Sequence, residues 1–269
     1  MTTIKLLQVG CGNMGSAMLK AWARCDFLQE AWVIQPSLTA PAAFAEYSNV
    51  HFAAALSGVR EDFIPDLVVF AVKPQTAAPI VAHYTQFKTE CLYLSVMSGI
   101  SFKWLGNILG GESAFVRLMP NLAAKLGQSM SLAVSNDHAT PRQREMANHL
   151  GKALGSILWL DSEHLLEAGT PISGSGPAYY FLLTECLEQA AIDLGFGKDA
   201  AKQLAEQTLL GSALLLQNSD QSAENFRQQV SSKGGITLAA LEVLNQPPLV
   251  DKVKLAIAAA IKREQELAQ

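Results

Sequence analysis

The sequence predicts an α/β protein in which a doubly wound sheet occupies the N-terminal part and an all-helical region follows it. Short β-rich runs alternate with helical stretches from Ile4 to about Leu160, and only helical periodicity remains after Ser162. The apolar run LVVFAV indicates a strand that is covered on both faces. We therefore expect two domains, residues 1–161 and residues 162–269.

Seven runs of the first domain are predicted to be strands joined by crossover helices. In chain order these runs are IKLLQV, AWVIQP, DLVVFAV, CLYLSVM, SAFVRLM, SMSLAV and SILWL. A helix that extends to about Cys25 is expected directly after the first strand. This alternation is typical of parallel strands that carry helices on both faces of the sheet.

Three long helices are predicted in the second domain, over residues 178–194, 198–217 and 249–267. Pro177 suits the first turn of the first of these helices, and Gly195 suits its C-terminal end. Their apolar residues, as in LLGSALLL and LAIAAAI, cover more than one stripe of the helix. A small bundle does not need so much apolar surface, so we expect a subunit interface and a homo-oligomer.

The composition excludes several classes of protein. A net charge of -4 and a pI near 5.7, with no cluster of basic residues, argue against nucleic-acid binding. No apolar run reaches the roughly 20 residues of a membrane span, and no secretory signal pattern is present. We expect a soluble, cytoplasmic protein with no membrane partner.

The cysteines and histidines predict no metal site. The cysteines lack CxxC spacing, which argues against a zinc site and a disulfide framework and fits a reducing compartment. The histidines lack the spacing of metal ligands and are interpreted as surface or structural residues. The residues concerned are Cys11, Cys25, Cys91, Cys186, His51, His83, His138, His149 and His164.

The stretch GCGNMG, residues 10–15, has the GxGxxG pattern of a dinucleotide site. It follows a predicted strand and opens a predicted helix, as such a site requires, and the fold is therefore predicted to be Rossmann-like. Gly10 permits the tight turn, Gly12 lets a pyrophosphate approach the backbone, and Gly15 lets helix and strand pack closely. The predicted cofactor contacts of this loop are Gly10, Gly12, Asn13, Met14 and Gly15.

The second predicted strand ends in VIQPS, residues 33–37, without the acid that usually binds the ribose of NAD. An acid at this place would repel a 2'-phosphate. Its absence favours NADPH over NADH, with Ser37 and Thr39 as candidate donors to the phosphate, although no arginine stands beside them.

Ligands of open α/β sheets lie beyond the carboxyl ends of the strands. Two further segments follow predicted strands and are expected to line the cofactor cleft: Ala71, Val72, Lys73 and Pro74, and Asn121 of RLMPN. A solvated lysine and a turn-forming asparagine explain Lys73 and Asn121 equally well.

The segment TPISGSGPA, residues 170–178, lies at the junction of the two domains. Its small residues would allow a helix, a loop and a cofactor to approach closely, and one hydroxyl could cap the helix that begins near Pro177. The segment does not match a GxSxG nucleophile elbow, and no histidine and aspartate pair suggests a serine hydrolase.

The segment VSSKGGITLAAL, residues 230–241, interrupts the helical region with two glycines and then starts another helix. Such a loop exposes backbone N–H groups at a helix N-terminus, where an anion binds favourably. For Thr237 the alternative is a simple N-cap, and for Gly234 and Gly235 it is a turn.

These motifs together resemble pyrroline-5-carboxylate reductase. GCGNMGSAM, DLVVFAVKPQ, SVMSGIS, RLMPNLAAKLGQSMSLAV, SGSGPAYYF and VSSKGGITLAAL occur in the family's order over nearly the whole chain. The resemblance implies reduction of the imine of L-1-pyrroline-5-carboxylate to L-proline by NADPH or NADH, the last step of proline biosynthesis.

The resemblance also implies roles for the glycine-containing loop. The substrate carboxylate would bind the backbone at Gly234, Gly235 and Ile236 and the hydroxyl of Ser232, while Thr237 would hold the ring nitrogen. Ser232 and Thr237 are thus the implied catalytic residues, and no residue stands out as a dedicated acid. The helical domain would form a homodimer, and five dimers would form a decamer.

The chain departs from the family pattern in three places. Lys233 replaces a usual proline, Ile236 replaces a usual threonine or alanine, and the segment 50–56 lacks the asparagine that binds the adenosine end of the nucleotide in many members. Two alternatives therefore stay open. One is a related NADP-dependent imine reductase with another substrate, and the other is an inactive nucleotide-binding homologue.

Overall fold

The computed structural model describes residues 3–37, 42–87 and 91–267. They divide into two compact units. One contains the described residues up to Ser175 and those from Ala260 onward, and the other is Gly176–Ala259. The domain boundary predicted between residues 161 and 162 stays a prediction; it precedes a helix, Glu163–Ser173, that belongs to the first unit.

A single sheet runs through the described part of the first unit. Its strands are β1 Ile4–Val9, β2 Leu28–Ile34, β3 Val50–Ala53, β4 Leu67–Phe70, β5 Leu92–Ser95, β6 Ala114–Met119, β7 Ser129–Ser135 and β8 Gly155–Trp159. The spatial order is β3-β2-β1-β4-β5-β6-β7-β8. The order reverses beside β1, which pairs in parallel with β2 and β4, and this is the point where open α/β sheets bind ligands.

The central strands are buried on both faces, as the apolar runs predict. Every residue of β4 is buried, and its alternating side chains enter two different apolar clusters. Leu67 and Val69 pack with Met18 and Trp22 on one face, while Val68 and Phe70 pack on the other. Because neighbouring residues of a strand point to opposite faces, this split shows that helices cover the sheet on both sides.

The helices of the first unit are α1 Asn13–Trp22, α2 Ala77–Val81, α3 Phe102–Leu109, α4 Pro141–Leu154 and α5 Glu163–Ser173. Those that follow are α6 Gly176–Asp193, α7 Lys198–Gln217, α8 Ala223–Gln229, α9 Ile236–Leu244 and α10 Leu249–Leu267. No helix in the described ranges is long and apolar enough to cross a membrane.

The three helices predicted in the second domain are confirmed. α7 and α10 have the predicted bounds, and α6 begins at Gly176 with Pro177 in its first turn. Gly195 has φ of 97°, and the N–H groups of Gly195 and Phe196 donate to the carbonyls of Ile192 and Ala191. This pair of bonds ends α6 at a left-handed glycine, as expected.

Three features differ from the sequence-based prediction. β3 was not predicted, because its four residues VHFA include a histidine and are only half buried in the middle. β7 runs antiparallel to β6, whereas parallel strands were expected. α5 was not among the predicted helices, and it continues through Gly169 and Pro171 to Ser173. Gly169 lies so close to Leu132 that a Cβ atom there would be 2.7 Å from its Cδ1, so packing against β7 explains this glycine.

The second unit exposes a large apolar surface. Residues 179–183 of α6 are five consecutive large apolar side chains, and each is at least 39% exposed. Consecutive residues of a helix cannot share one face, so α6 exposes apolar side chains on more than one face. Leu214, Leu215 and Leu216 of α7 are also consecutive and exposed, which confirms the excess of apolar surface predicted for LLGSALLL.

A buried ion pair joins three elements of the first unit. Arg117 on β6 is fully buried, and its Nη1 donates to Glu163 Oε1 at 2.7 Å and to Glu167 Oε1 at 3.2 Å. The same Glu163 oxygen accepts the N–H of Phe102 at the start of α3. Nε and Nη2 of Arg117 are buried and have no hydrogen-bond partner among the described residues. Among the described residues, Glu163 and Glu167 therefore stabilise the buried positive charge of Arg117.

We expect Glu163→Ala to destabilise the fold more than Arg117→Met does. The first change leaves the buried guanidinium with only one carboxylate, at a cost of about 3 kcal/mol. The second removes the buried charge and leaves two carboxylates that are already 25% and 38% exposed, so water can solvate them. Urea unfolding at one fixed protein concentration measures both losses. A larger loss for Arg117→Met would contradict this account of the cluster.

Candidate active site

Gly10 makes the turn from β1 to α1 at a place where no other residue fits. Its φ is 92°, and a Cβ atom there would lie 2.7 Å from the carbonyl oxygen of Ala71. Gly15 is equally confined, because its Cβ would lie 2.7 Å from the carbonyl oxygen of Gly10. The tight turn predicted at Gly10 and the close packing predicted at Gly15 are therefore both present.

Gly12 differs from these two glycines, because a Cβ atom there would meet no atom within 4 Å. It is exposed and stands at the N-cap of α1, with no side chain that caps the helix and no acid in the first turn. The N–H groups of the first turn, at Asn13, Met14 and Gly15, have no acceptor within the helix. An open, acid-free helix N-terminus of this kind fits the pyrophosphate of a dinucleotide.

The loop also contains Cys11, whose thiol is uncharged. Partial burial raises the pKa of its thiol, so the thiol stays protonated at neutral pH. A thiolate would repel an anion at the start of α1. The protonated side chain is compatible with the proposed pyrophosphate site.

Two glutamines support the loop, and the sequence reasoning did not single out either of them. The buried Gln8 donates from Nε2 to the carbonyls of Gly10 and Gly15, at 2.9 and 3.1 Å. Gln35, directly after β2, accepts the N–H of Cys11 at 3.0 Å. Gln8 could have been noticed in the sequence, because it is a polar residue inside the apolar run IKLLQV. Nothing in the sequence around Gln35 indicated its role.

The residues after β4 lie at the same sheet edge as the glycine loop. The N–H of Ala71 donates to the carbonyl of Val9, and Pro74 begins a short 3-10 helix, Pro74–Thr76. Lys73 is exposed and forms no ion pair within the described ranges. Val72 lines a cavity of about 530 Å³ together with Gly10 and Gln35.

Ser37 is exposed and accepts a hydrogen bond from Gln35 Nε2 at 2.9 Å. Thr39, the second predicted donor to a 2'-phosphate, lies outside the described residues. His83 was interpreted as a surface or structural residue; it is exposed and also lines the cavity next to Gln35. No aspartate or glutamate is among the described residues of this wall.

Asn121 follows β6 at the same sheet edge, but its side chain already has structural partners. Its Nδ2 donates to the carbonyl of Ser173 at 2.9 Å, and its Oδ1 accepts the N–H of Ala123 at 3.0 Å. These bonds cap the short 3-10 helix Leu122–Leu126 and hold the end of α5. A role of Asn121 toward the cofactor stays a prediction.

Two of the three hydroxyls of the junction segment, those of Thr170 and Ser173, are bonded inside α5. Thr170 donates to the carbonyl of Leu166 at 2.7 Å, and Ser173 donates to that of Gly169 at 3.5 Å. Neither of these two hydroxyls caps the helix after Pro177. The two hydroxyls, which the sequence left without a role, have local acceptors one helical turn away.

In the second unit, residues 232–235 form a tight turn before α9. The N–H of Gly235 donates to the carbonyl of Ser232 at 2.9 Å, and Gly234 has φ of 74°. These features are typical of a type II turn, in which the second residue is often proline and the third is glycine. Lys233 occupies the second position and is exposed, so its replacement of the family's proline leaves the turn intact.

The turn leads directly into the N-terminus of α9. Gly235 is the N-cap and no side chain caps the helix, so the alternative that Thr237 is the N-cap is wrong. Thr237 is half-buried in the first turn, Ser232 is exposed, and Ile236 is 91% exposed. Since the Gly235 N–H is used in the turn, the donors that remain for an anion include the N–H groups of Gly234, Ile236 and Thr237, with that of Leu238 one residue further along the first turn.

The part of the chain that the structure describes contains no group of three or more metal-binding side chains. All four cysteines are unpaired.

Comparison with known proteins gives matches over both parts of the chain. Residues 163–267 match the family model for pyrroline-5-carboxylate reductase dimerisation, and residues 4–99 match a model described as NADP oxidoreductase, coenzyme F420-dependent. The first match includes the helices with exposed apolar residues, and it supports the predicted oligomer.

Full-length relatives agree with these models. A pyrroline-5-carboxylate reductase of Pseudomonas aeruginosa is 32% identical, over 100% of this chain and 98% of its own. The structure of a pyrroline-5-carboxylate reductase from Coxiella burnetii superposes with a TM-score of 0.90 at 31% identity, with both chains fully covered. A pyrroline carboxylate reductase of Plasmodium falciparum, solved with NADP bound, has a TM-score of 0.87 at 26% identity, again with full coverage of both chains. The chain therefore belongs to the pyrroline-5-carboxylate reductase family.

Proposed function

We propose that this protein reduces the imine of L-1-pyrroline-5-carboxylate to L-proline, the last step of proline biosynthesis. The observation that carries the proposal is full-length similarity at about 30% identity to reductases of that name, with both of the predicted binding motifs present. The protein is thus an NAD(P)-dependent oxidoreductase.

The glycine loop is the proposed site of the dinucleotide, with Gly10, Gly12, Asn13, Met14 and Gly15 at its pyrophosphate. Three observations support this: the open space at Gly12, the uncapped first turn of α1 and the lack of an acid there. Ser37 would face the adenosine ribose, and Ala71, Val72, Lys73, Pro74 and Asn121 would line the rest of the site. NADPH is the proposed cofactor, because no acid follows β2.

The turn and the first residues of α9 are the proposed carboxylate site. An anion there would meet the N–H groups of Gly234, Ile236 and Thr237 and the hydroxyl of Ser232. No acid stands in the first turn of α9 to compete with it. Gly235 contributes the turn bond rather than a donor, because its N–H is occupied.

Reduction adds a hydride to the imine carbon and leaves a proton on the ring nitrogen. The bound cofactor supplies the hydride. The hydroxyl of Thr237 has no hydrogen-bond partner within the described chain, and we assign to it the ring nitrogen. This contact would polarise the C=N bond toward nitrogen. No side chain of the turn is a Brønsted acid other than Lys233, so the proton would arrive on the substrate or through water.

The proposal includes a homodimer formed through the second unit and a decamer of five such dimers. The exposed apolar residues of α6 and the match to a dimerisation model support the dimer. We also propose a cytoplasmic location, which the four unpaired cysteines fit.

The reaction is tested by following the oxidation of NADPH and of NADH with L-1-pyrroline-5-carboxylate and with a panel of other cyclic imines. We expect the highest kcat/KM with pyrroline-5-carboxylate, and rescue of a proline auxotroph by the gene. Faster reduction of another imine would support a different substrate. Nucleotide binding without turnover on any imine would support an inactive homologue.

Substitutions at Gly12 and Gly15 should separate the effect on nucleotide binding from the effect on folding. Gly12→Ala is expected to leave the melting temperature of the nucleotide-free protein unchanged, because the methyl group meets no protein atom and φ of -70° suits any residue. The same methyl group would occupy the space proposed for the pyrophosphate and weaken NADPH binding roughly tenfold or more.

Gly15→Ala is the matched control, since its methyl group would lie 2.7 Å from a backbone oxygen. We expect a loss of roughly 1 to 3 kcal/mol in the free energy of unfolding. Thermal unfolding with and without NADPH measures both effects. Undiminished NADPH binding by Gly12→Ala would remove the pyrophosphate from this loop.

Thr237→Ala is expected to lower kcat/KM by roughly tenfold or more, as loss of a hydrogen bond worth ~1.5 to 3 kcal/mol would do. Thr237→Ser keeps the hydroxyl and should retain kcat/KM within about threefold. Steady-state kinetics compares the two variants. Equal values for Thr237→Ala and the wild type would exclude Thr237 from the reaction.

A further inference from the structure

Gln35 is the first residue after β2, where dinucleotide sites that bind NAD place an acid. Its side-chain amide has two partners. The Oε1 atom accepts the N–H of Cys11 in the glycine loop at 3.0 Å, and the Nε2 atom donates to Ser37 Oγ at 2.9 Å. One neutral side chain therefore connects the proposed pyrophosphate loop with the residue proposed to face the ribose.

The chemistry of these partners fixes the orientation of the amide. The backbone N–H of Cys11 can only donate, so the oxygen of Gln35 must face it. The NH₂ group then necessarily faces Ser37, and the Ser37 oxygen must accept. The hydroxyl proton of Ser37 therefore points away from Gln35 and is available to a further acceptor.

We propose that Gln35 is a specificity-determining positioning residue, which holds Ser37 as an outward hydrogen-bond donor and thereby favours a dinucleotide with a 2'-phosphate. This inference rests on the proposed dinucleotide site. A phosphate oxygen only accepts hydrogen bonds, so a serine held as a donor matches it. A ribose 2'-hydroxyl can reverse its own role and gains less from a fixed donor.

Gln35 lines a cavity whose described wall residues bring no negative charge to it. The cavity of about 530 Å³ beside it has no carboxylate among the described residues of its wall. Its polar wall residues include Ser57 and His83.

The two bonds of Gln35 predict different effects on binding. The bond to Cys11 shapes the loop that every dinucleotide would use, so its loss affects NADPH and NADH alike. The bond to Ser37 orients a donor that only the 2'-phosphate needs. A change that keeps the first bond and reverses the second should therefore alter the ratio of the two affinities.

Gln35→Glu is such a change. A carboxylate of the same shape still accepts the Cys11 N–H, but it cannot donate to Ser37, and it accepts the Ser37 proton instead. Titration calorimetry with NADPH and with NADH, in the absence of any imine, measures both dissociation constants. We expect NADPH to bind about tenfold or more weakly and NADH to change less than about threefold, as loss of one charge-assisted hydrogen bond would give.

Ser37→Ala, made in the wild type and in the Gln35→Glu background, separates hydrogen-bond orientation from simple charge repulsion. We expect Ser37→Ala to weaken NADPH binding in the wild type and to have no further effect in the Gln35→Glu background. Equal effects of Ser37→Ala in both backgrounds, or equal weakening of NADPH and NADH by Gln35→Glu, would overturn the inference. A wild type that binds neither nucleotide would instead contradict the proposed function itself.

Discussion

The contact between β1, α1 and β4 at Gly10 and Gly15 is the constraint on which the nucleotide half of the molecule depends. The carbonyl oxygen of Gly10 lies where a side chain on Gly15 would be, and the carbonyl of Ala71 lies where one on Gly10 would be. The buried amide of Gln8 bonds to both glycine carbonyls and fixes their positions. This packing brings the uncapped N-terminus of α1 to the point where the strand order reverses, so the position for an anion follows from backbone geometry alone.

An uncapped helix N-terminus after a glycine turn also occurs in the second unit, in a segment whose sequence is unrelated to that of the first. α9 begins after a tight glycine turn, has a glycine at its N-cap, and lacks both a capping side chain and an acid in its first turn. Natural helices usually start with a side chain that bonds to these N–H groups. α1 and α9 leave these N–H groups without a capping side chain, as α2 and α7 also do, and in the proposed function α1 would hold a dinucleotide pyrophosphate and α9 a substrate carboxylate. Binding through backbone groups, as proposed, would need no constellation of charged side chains at either site.

Much of this arrangement could be predicted from the sequence, because the spacing of apolar residues and the positions of glycines indicate the local backbone conformation directly. The run LVVF is buried on both faces, as predicted. The helices α7 and α10 begin and end at the predicted residues. The features that could not be predicted from the sequence depend on tertiary contacts. The antiparallel direction of β7 leaves no mark in a strand of alternating residues, and α5, which contains Pro171, was not among the predicted helices. The amide of Gln35 has partners on both sides of it, at Cys11 and Ser37, which spacing alone cannot reveal.

Recognition of the carboxylate by the turn before α9 is tested most directly by a substrate that lacks this group. The measurement is kcat/KM for the reduction of 1-pyrroline compared with that of L-1-pyrroline-5-carboxylate, both with NADPH at saturation. If the N–H groups of Gly234, Ile236 and Thr237 hold the carboxylate, 1-pyrroline should react roughly a hundredfold more slowly, as loss of two charge-assisted hydrogen bonds of about 1.5 kcal/mol each would give. Equal kcat/KM for the two imines would contradict this account of the site.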